Sequence, residues 1–232
     1  MKHTLITAHS GCEDTSPDSM ASVETALAIG ADCAEVDVRL APDGTLRLSH
    51  DRKDDYSRSV KLEEVFRAVR GTGMAVNCDI KEARALYRVL ELAAGNDIGR
   101  DQLIFSGDVP AELMRMDPEI ARRAQVYLNI ENLFAMMIFP DPLNYERFTD
   151  RMTNHFGRII GAAKHVGAEA LNCHFKWLMD DMLDQLEDEA LGVSLWTVGE
   201  EADLRRYLTR GVLNITSRSP MKALDLRKEI QG

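Results

Sequence analysis

No stretch of this sequence approaches the roughly 20 consecutive apolar residues that a membrane-spanning helix requires, so stable insertion into a bilayer is not expected. Nor does the start resemble a signal peptide. Met1-Lys2-His3-Thr4 passes directly into an apolar strand-like run at Leu5–Ala8, with no long apolar segment or small-residue cleavage site, and a cytoplasmic location is the expectation. Cysteine is scarce and scattered: Cys12, Cys33, Cys78 and Cys173 form no CxxC pair, which argues against both a zinc knuckle and a disulfide framework. Positive charge is in deficit as well. A net charge of −10 argues against nucleic acid as a partner, since its binding needs a positively charged surface to displace counterions. A small anionic ligand stays compatible with this charge, because it needs only a local positive centre, which a bound metal ion can supply.

What is present is the composition of an ordinary globular protein, with 45% hydrophobic and 28% charged residues. At 232 residues one domain spanning 1–232 is expected, since an α/β barrel routinely exceeds 200 residues without splitting. Eight short β-rich runs recur: Leu5–His9, Ala34–Leu40, Ala75–Ile80, Gln102–Ser106, Gln125–Ile130, Ala170–His174, Val193–Val198 and Val212–Ser217. Stretches of helical character lie between them, near Ser19–Ile29, Leu62–Arg70, Glu82–Gly95, Pro110–Met116, Asn144–Val166, Trp177–Ala190, Ala202–Arg210 and Pro220–Glu229. The alternation predicts a parallel sheet covered by helices, and eight units predict a closed (β/α)8 TIM barrel.

Two interruptions stand out. Pro42-Asp43-Gly44 is a turn signal that makes Arg39–His50 a short hairpin after the second strand. Further on, Leu133–Phe139 is too apolar for a free loop and follows the fifth barrel strand on the side where barrel active sites lie. It reads either as a core-packing helix or as a cover over substrate or a contact between copies of the chain, so a homo-oligomer is left open.

Chemistry concentrates at the strand ends. Strand side chains alternate faces, so in Cys33–Val38 the carboxylates of Glu35 and Asp37 share one face while Ala34, Val36 and Val38 share the other. The apolar face should meet the helices, which turns two acids into the barrel, where like charges are costly unless protonated or held by a cation. An exposed strand with a solvated acidic face is the plainer reading. On the next strand Asp79 and Lys81 repeat the spacing. Asp79 would add a third oxygen donor, a set suited to Mg²⁺ or Ca²⁺ rather than zinc. Lys81 would hold a phosphate oxygen or, more simply, a salt bridge. His9 closes the first strand and His50 closes the hairpin. Imidazoles there can divide the proton transfers of a displacement at phosphorus, although a strand-end histidine is commonly structural. His174, Ser106, Asn129 and Trp196 also end strands, and Trp196 offers an aromatic plane to a substrate or simply fills the barrel.

These residues, taken in order, resemble a known family. Ala8-His9-Ser10-Gly11, Ser16-Pro17-Asp18-Ser19, Gly30-Ala31-Asp32-Cys33-Ala34-Glu35-Val36-Asp37-Val38, Pro42-Asp43-Gly44, Ser49-His50-Asp51, Asp79-Ile80-Lys81 and Trp196-Thr197-Val198-Gly199 follow one another. The run is similar to the HRG, PENT, GAD-x-x-E-x-D-V, K-D-G, HD, E-x-K and W-T-V-N string of the glycerophosphodiester phosphodiesterases. That resemblance implies metal-dependent hydrolysis of a small phosphodiester to an alcohol and a phosphomonoester. His9 and His50 would be the acid–base pair, Glu35, Asp37 and Asp79 the ligands of a divalent cation, Mg²⁺ or Ca²⁺. Lys81 would neutralise phosphate and Trp196 would pack against the alcohol portion; Ser10, by its place after His9, and His174, by its place at a strand end, are further candidates for substrate contact.

The departures matter too. Ser10 stands where the family has Arg, removing a bidentate phosphate donor. Asp18-Ser19-Met20 replaces Glu-Asn-Thr, and Asp79 replaces the commoner Glu. Sphingomyelinase D-type relatives share the loss of Arg and the third-position Asp, so a lipid-directed phosphodiesterase such as a lysophospholipase D is one alternative. A barrel that binds a phosphorylated ligand without turnover is another. Arg52–Ser59 leads almost directly to the helix at Leu62, leaving no room for the inserted cap of larger members.

Overall fold

The computed structural model describes residues 3–136 and 145–232, with residues 134–136 and 145–154 described by their backbone alone. Nine strands form one sheet: β1 (Leu5–Ala8), β2 (Cys33–Leu40), β3 (Leu46–Leu48), β4 (Ala75–Ile80), β5 (Leu103–Gly107), β6 (Gln125–Asn129), β7 (Ala170–His174), β8 (Gly192–Trp196) and β9 (Asn214–Ser217). Eight of them pair in parallel. The order runs β1-β9-β8-β7-β6-β5-β4-β2, and the β1–β2 pairing closes the ring. This is the expected (β/α)8 barrel. Antiparallel β3 lies against β2 at Val38↔Leu48 through Leu40↔Leu46, the short hairpin that Pro-Asp-Gly signalled.

Helices α1 (Met20–Ala28), α2 (Leu62–Val69), α3 (Leu86–Gly95), α4 (Ala111–Met116), α5 (Glu119–Arg123), α6 (Ile130–Met136), α7 (Tyr145–His165), α8 (Asp180–Asp188), α9 (Glu201–Arg210) and α10 (Pro220–Gln231) connect the strands. Where one helix was expected after β5 there are two. Pro118 has no backbone N–H to continue α4 and instead opens α5. The expected helices at Glu82 and Trp177 begin later, at Leu86 and Asp180, each behind a single 3₁₀ turn. Ser19 starts α1 by accepting a hydrogen bond from the Ser22 N–H at 3.2 Å, so the departure from PENT leaves a competent N-cap.

Strand alternation sorts the interior by height. Outward-facing Ile6, Ala8, Ala34, Val36, Val38, Val76, Cys78 and Ile80 are buried against the helices in the main core. Inside, Cys33, Ala75, Ile104, Tyr127 and Ala170 form an apolar plug at the bottom. The next residues up each strand are polar: Asn77, Ser106, Asn172, Ser194 and Thr216 are all buried. At the top stand Asp37 and Asp79, directly paired in the β2–β4 register. All four cysteines are buried and free. Leu133 packs in the core at 1% exposure, while the choice between a core helix and a cover or subunit contact at Leu133–Phe139 falls on side chains outside those described.

Candidate active site

A cavity of about 580 Å³ opens at the carboxyl ends of the strands, where side chains from different strands converge in barrel enzymes. His9, His50, Glu35, Asp37, Asp79, Lys81 and Trp196 all line it, as do Ser106 and Asn129. Carboxylate oxygens of Glu35, Asp37 and Asp79 lie within 4.8 Å of one another. Glu35 and Asp37 are only 7% and 5% exposed, so the solvated-face reading of this strand does not hold.

Three acids this close cannot all be charged cheaply. Burial, reinforced by the charges of Asp37 and Asp79, pushes the Glu35 carboxyl well above the usual carboxylate range. Burial also raises Asp79, with Lys81 opposing it. Lys81 Nζ sits 2.7 Å from Asp37 Oδ1 and 3.0 Å from Asp79 Oδ2. Burial works to lower its pKa, but the two carboxylates outweigh that and hold the ammonium above its ordinary value. Asp79 Oδ1 remains buried with no hydrogen-bond partner. An all-oxygen donor set with one orphaned carboxylate oxygen fits a hard divalent cation.

The two histidines differ in setting. His9 Nδ1 lies 2.8 Å from the Ser10 carbonyl. A carbonyl only accepts, so Nδ1 carries the proton and the neutral ring keeps its lone pair on Nε2. Burial lowers the His9 pKa, with the Ser10 carbonyl opposing. His50 is largely exposed, its side chain 70% accessible. Its Nδ1 lies 2.9 Å from Asp51 Oδ1, and that contact holds the Asp51 carboxyl below its usual range.

Asp18 braces this half of the mouth. Its carboxylate accepts from the His50 N–H at 2.9 Å, the Asp37 N–H at 3.4 Å and the Ser10 hydroxyl at 3.3 Å. Ser10 is consumed here. It is buried, its N–H donates to Glu35 Oε2 at 2.7 Å and its Oγ accepts from the Asp18 N–H at 2.7 Å. Ser10 is not part of the cavity lining. His174 is not either. It turns into an aromatic cluster, 4.9 Å from Phe175 and 5.4 Å from Trp196 between ring centres, and accepts from the Lys176 N–H. The structure thus brings neither Ser10 nor His174 into the lining with the other expected substrate contacts.

Several lining residues were not foreseen. Asn77, Asn172 and Thr216 follow from the same two-residue alternation, read one step below the charged layer. Glu131 and Asn132 sit on α6, where strand alternation gives no signal. Burial raises the Glu131 carboxyl to about 7, and its Oε2 lacks a partner. Arg218, just past β9, also lines the cavity.

A sequence profile described as the Glycerophosphoryl diester phosphodiesterase family matches residues 9–137, more than half of the chain. The chain belongs to that family. A glycerophosphodiester phosphodiesterase of Caldanaerobacter subterraneus subsp. tengcongensis is 24% identical over 96% of this chain and 97% of its own length. Among solved structures, a candidate glycerophosphoryl diester phosphodiesterase of Agrobacterium tumefaciens C58 superposes with TM-score 0.77 at 16% identity, covering 98% of both chains. An Oleispira antarctica phosphodiesterase, solved with the product sn-glycerol-3-phosphate, gives TM-score 0.67 at 17% identity, with 97% of this chain and 96% of that one covered. Membership in the glycerophosphoryl diester phosphodiesterase family makes the protein a phosphoric diester hydrolase by class. No helix among the described residues is long and apolar enough to cross a membrane.

Proposed function

We propose that this protein hydrolyses a small glycerophosphodiester to an alcohol and a phosphomonoester, with Mg²⁺ or Ca²⁺ held by Glu35, Asp37 and Asp79. The observation that carries the reading is the convergence of three carboxylates within 4.8 Å beside His9 and Lys81 in one cavity. When bound, the cation supplies positive charge that offsets the charge building on the phosphate oxygens.

The chain's own residues divide the remaining work. His9, kept neutral by burial and with its free lone pair on Nε2, takes the proton from the attacking water or substrate hydroxyl. His50, whose Nδ1 faces the Asp51 carboxylate, carries the proton delivered to the leaving alcohol. Lys81 adds positive charge at the carboxylate cluster, where an equatorial phosphate oxygen would lie. Trp196, whose Nε1 is buried without a partner, offers both a ring face and a hydrogen-bond donor to the alcohol portion.

Turnover of a panel of glycerophosphodiesters, assayed with added Mg²⁺, with Ca²⁺ and with chelator, tests this. Metal-dependent release of alcohol supports it. Ligand binding without turnover under every condition leaves a phospho-ligand-binding barrel instead, and turnover confined to lysophospholipids or sphingomyelin leaves the lipid-directed enzyme.

A further inference from the structure

We propose that Arg218 is the guanidinium that grips the phosphoryl oxygens of the substrate in this protein. Only two lysine or arginine side chains line the cavity among the described residues, Lys81 and Arg218. Lys81 is committed, its ammonium shared between Asp37 and Asp79. Arg218 carries no such commitment: among the described residues its guanidinium has neither an ion pair nor a hydrogen bond. A permanently charged planar fork at the mouth of an otherwise acidic cavity is suited to bidentate recognition of a tetrahedral anion.

Register explains how it gets there. β1 and β9 are parallel neighbours paired at Thr7↔Thr216 and Ala8↔Ser217, so His9 and Arg218 are the next residues beyond the last pair. Thr216 lines the cavity, and alternation returns Arg218 to that side two residues later. The backbone at this point is pinned by the His9 N–H to Ser217 carbonyl bond and the Glu13 N–H to Arg218 carbonyl bond, both 2.9 Å. Arg218 thus rides on a fixed turn one strand away from His9, and its positive charge is felt at that imidazole. Position 10, on the other side of His9, has no anion-binding capacity left, because Ser10 is spent on Glu35 and Asp18.

The assignment rests on the phosphodiesterase reading above, and the test separates the two. Affinity of the metal-loaded protein for sn-glycerol 3-phosphate and for glycerol is measured by calorimetry, alongside kcat and KM for sn-glycero-3-phosphocholine, in wild type, Arg218→Lys and Arg218→Gln. Arg218 is exposed, so neither change threatens the fold. Loss of a charge-assisted hydrogen bond predicts that Arg218→Gln weakens sn-glycerol 3-phosphate at least about 10-fold and raises KM by a similar factor. Glycerol affinity should not move, and Arg218→Lys should fall between the two. Affinity and KM for the phosphorylated compounds within about twofold of wild type in Arg218→Gln would overturn the Arg218 assignment while leaving the reaction intact. A wild-type protein that neither turns over any diester nor binds the monoester overturns both.

Discussion

Asp37 and Asp79 face each other across the β2–β4 register, and both carboxylates turn onto the single ammonium of Lys81. One cation therefore offsets only part of the negative charge of a pair that the register forces together. Replacing Lys81 by Met removes that charge and leaves the buried Asp37 and the partly buried Asp79 uncompensated. Breaking such a pair costs about 3 kcal/mol, so Lys81→Met should lose about that much unfolding free energy in chelator. Saturating Mg²⁺ or Ca²⁺ should restore most of it, because an added cation relieves the same repulsion. Urea denaturation with and without metal reads this directly, and equal losses in both conditions would count against a metal at these carboxylates.

The division of labour between the imidazoles makes a kinetic prediction. His9→Ala and His50→Ala should each lower kcat by at least about 10²-fold, the usual worth of a positioned acid or base. The two should differ in pH response. Burial lowers the His9 pKa, so the acidic limb of the wild-type kcat/KM profile should fall below the ordinary imidazole range and disappear in His9→Ala. Wild-type-like turnover in both variants would refute the assignment.

Much of this site could be read in the sequence because a strand's two-residue period is rigid. Glu35 and Asp37, then Asp79 and Lys81, had to share a face, and with eight strands closing a ring that face had to be the inside. Ser10 and His174 stand outside the lining for a reason the sequence does not carry. Their positions at strand ends say only that they are near the mouth, whereas orientation is set by partners on other segments, Asp18 and Glu35 for Ser10 and the ring cluster for His174. Glu131 lay beyond reach because its placement depends on where β6 stops and α6 begins, a boundary that alternation does not mark. Arg218 stands two residues past Thr216, within a pattern that was available, but its significance depends on Lys81 being occupied.

Gly107 gives a structural test of the third carboxylate. Its φ is +76°, and a Cβ there would overlap Asp79 Oδ1 and the Ile80 backbone. The left-handed backbone alone costs an alanine about 1–2 kcal/mol. Gly30, at φ +73° with nothing near its Cβ, shares only that cost and serves as the control. Gly107→Ala should therefore lose more stability than Gly30→Ala and should also raise the metal concentration for half-maximal activity. A metal requirement unchanged in Gly107→Ala would mean that Asp79 is not needed for the ion.

Glu131 makes stability depend on pH. Its carboxyl titrates at about 7 in the fold, raised by burial from an ordinary 4.5. Between those values the native state holds a proton that the unfolded chain has released, so unfolding releases protons and stability falls as pH rises through the window. Below about pH 4.5 both states are protonated and the penalty vanishes, while above about pH 7 it reaches its full size of about 3 kcal/mol. Glu131→Gln keeps the shape and removes the charge. Urea denaturation of the two proteins should accordingly give similar unfolding free energies near pH 4.5 and a growing advantage for Glu131→Gln up to pH 8. A difference independent of pH would mean that Glu131 is ionised and solvated at the cavity wall.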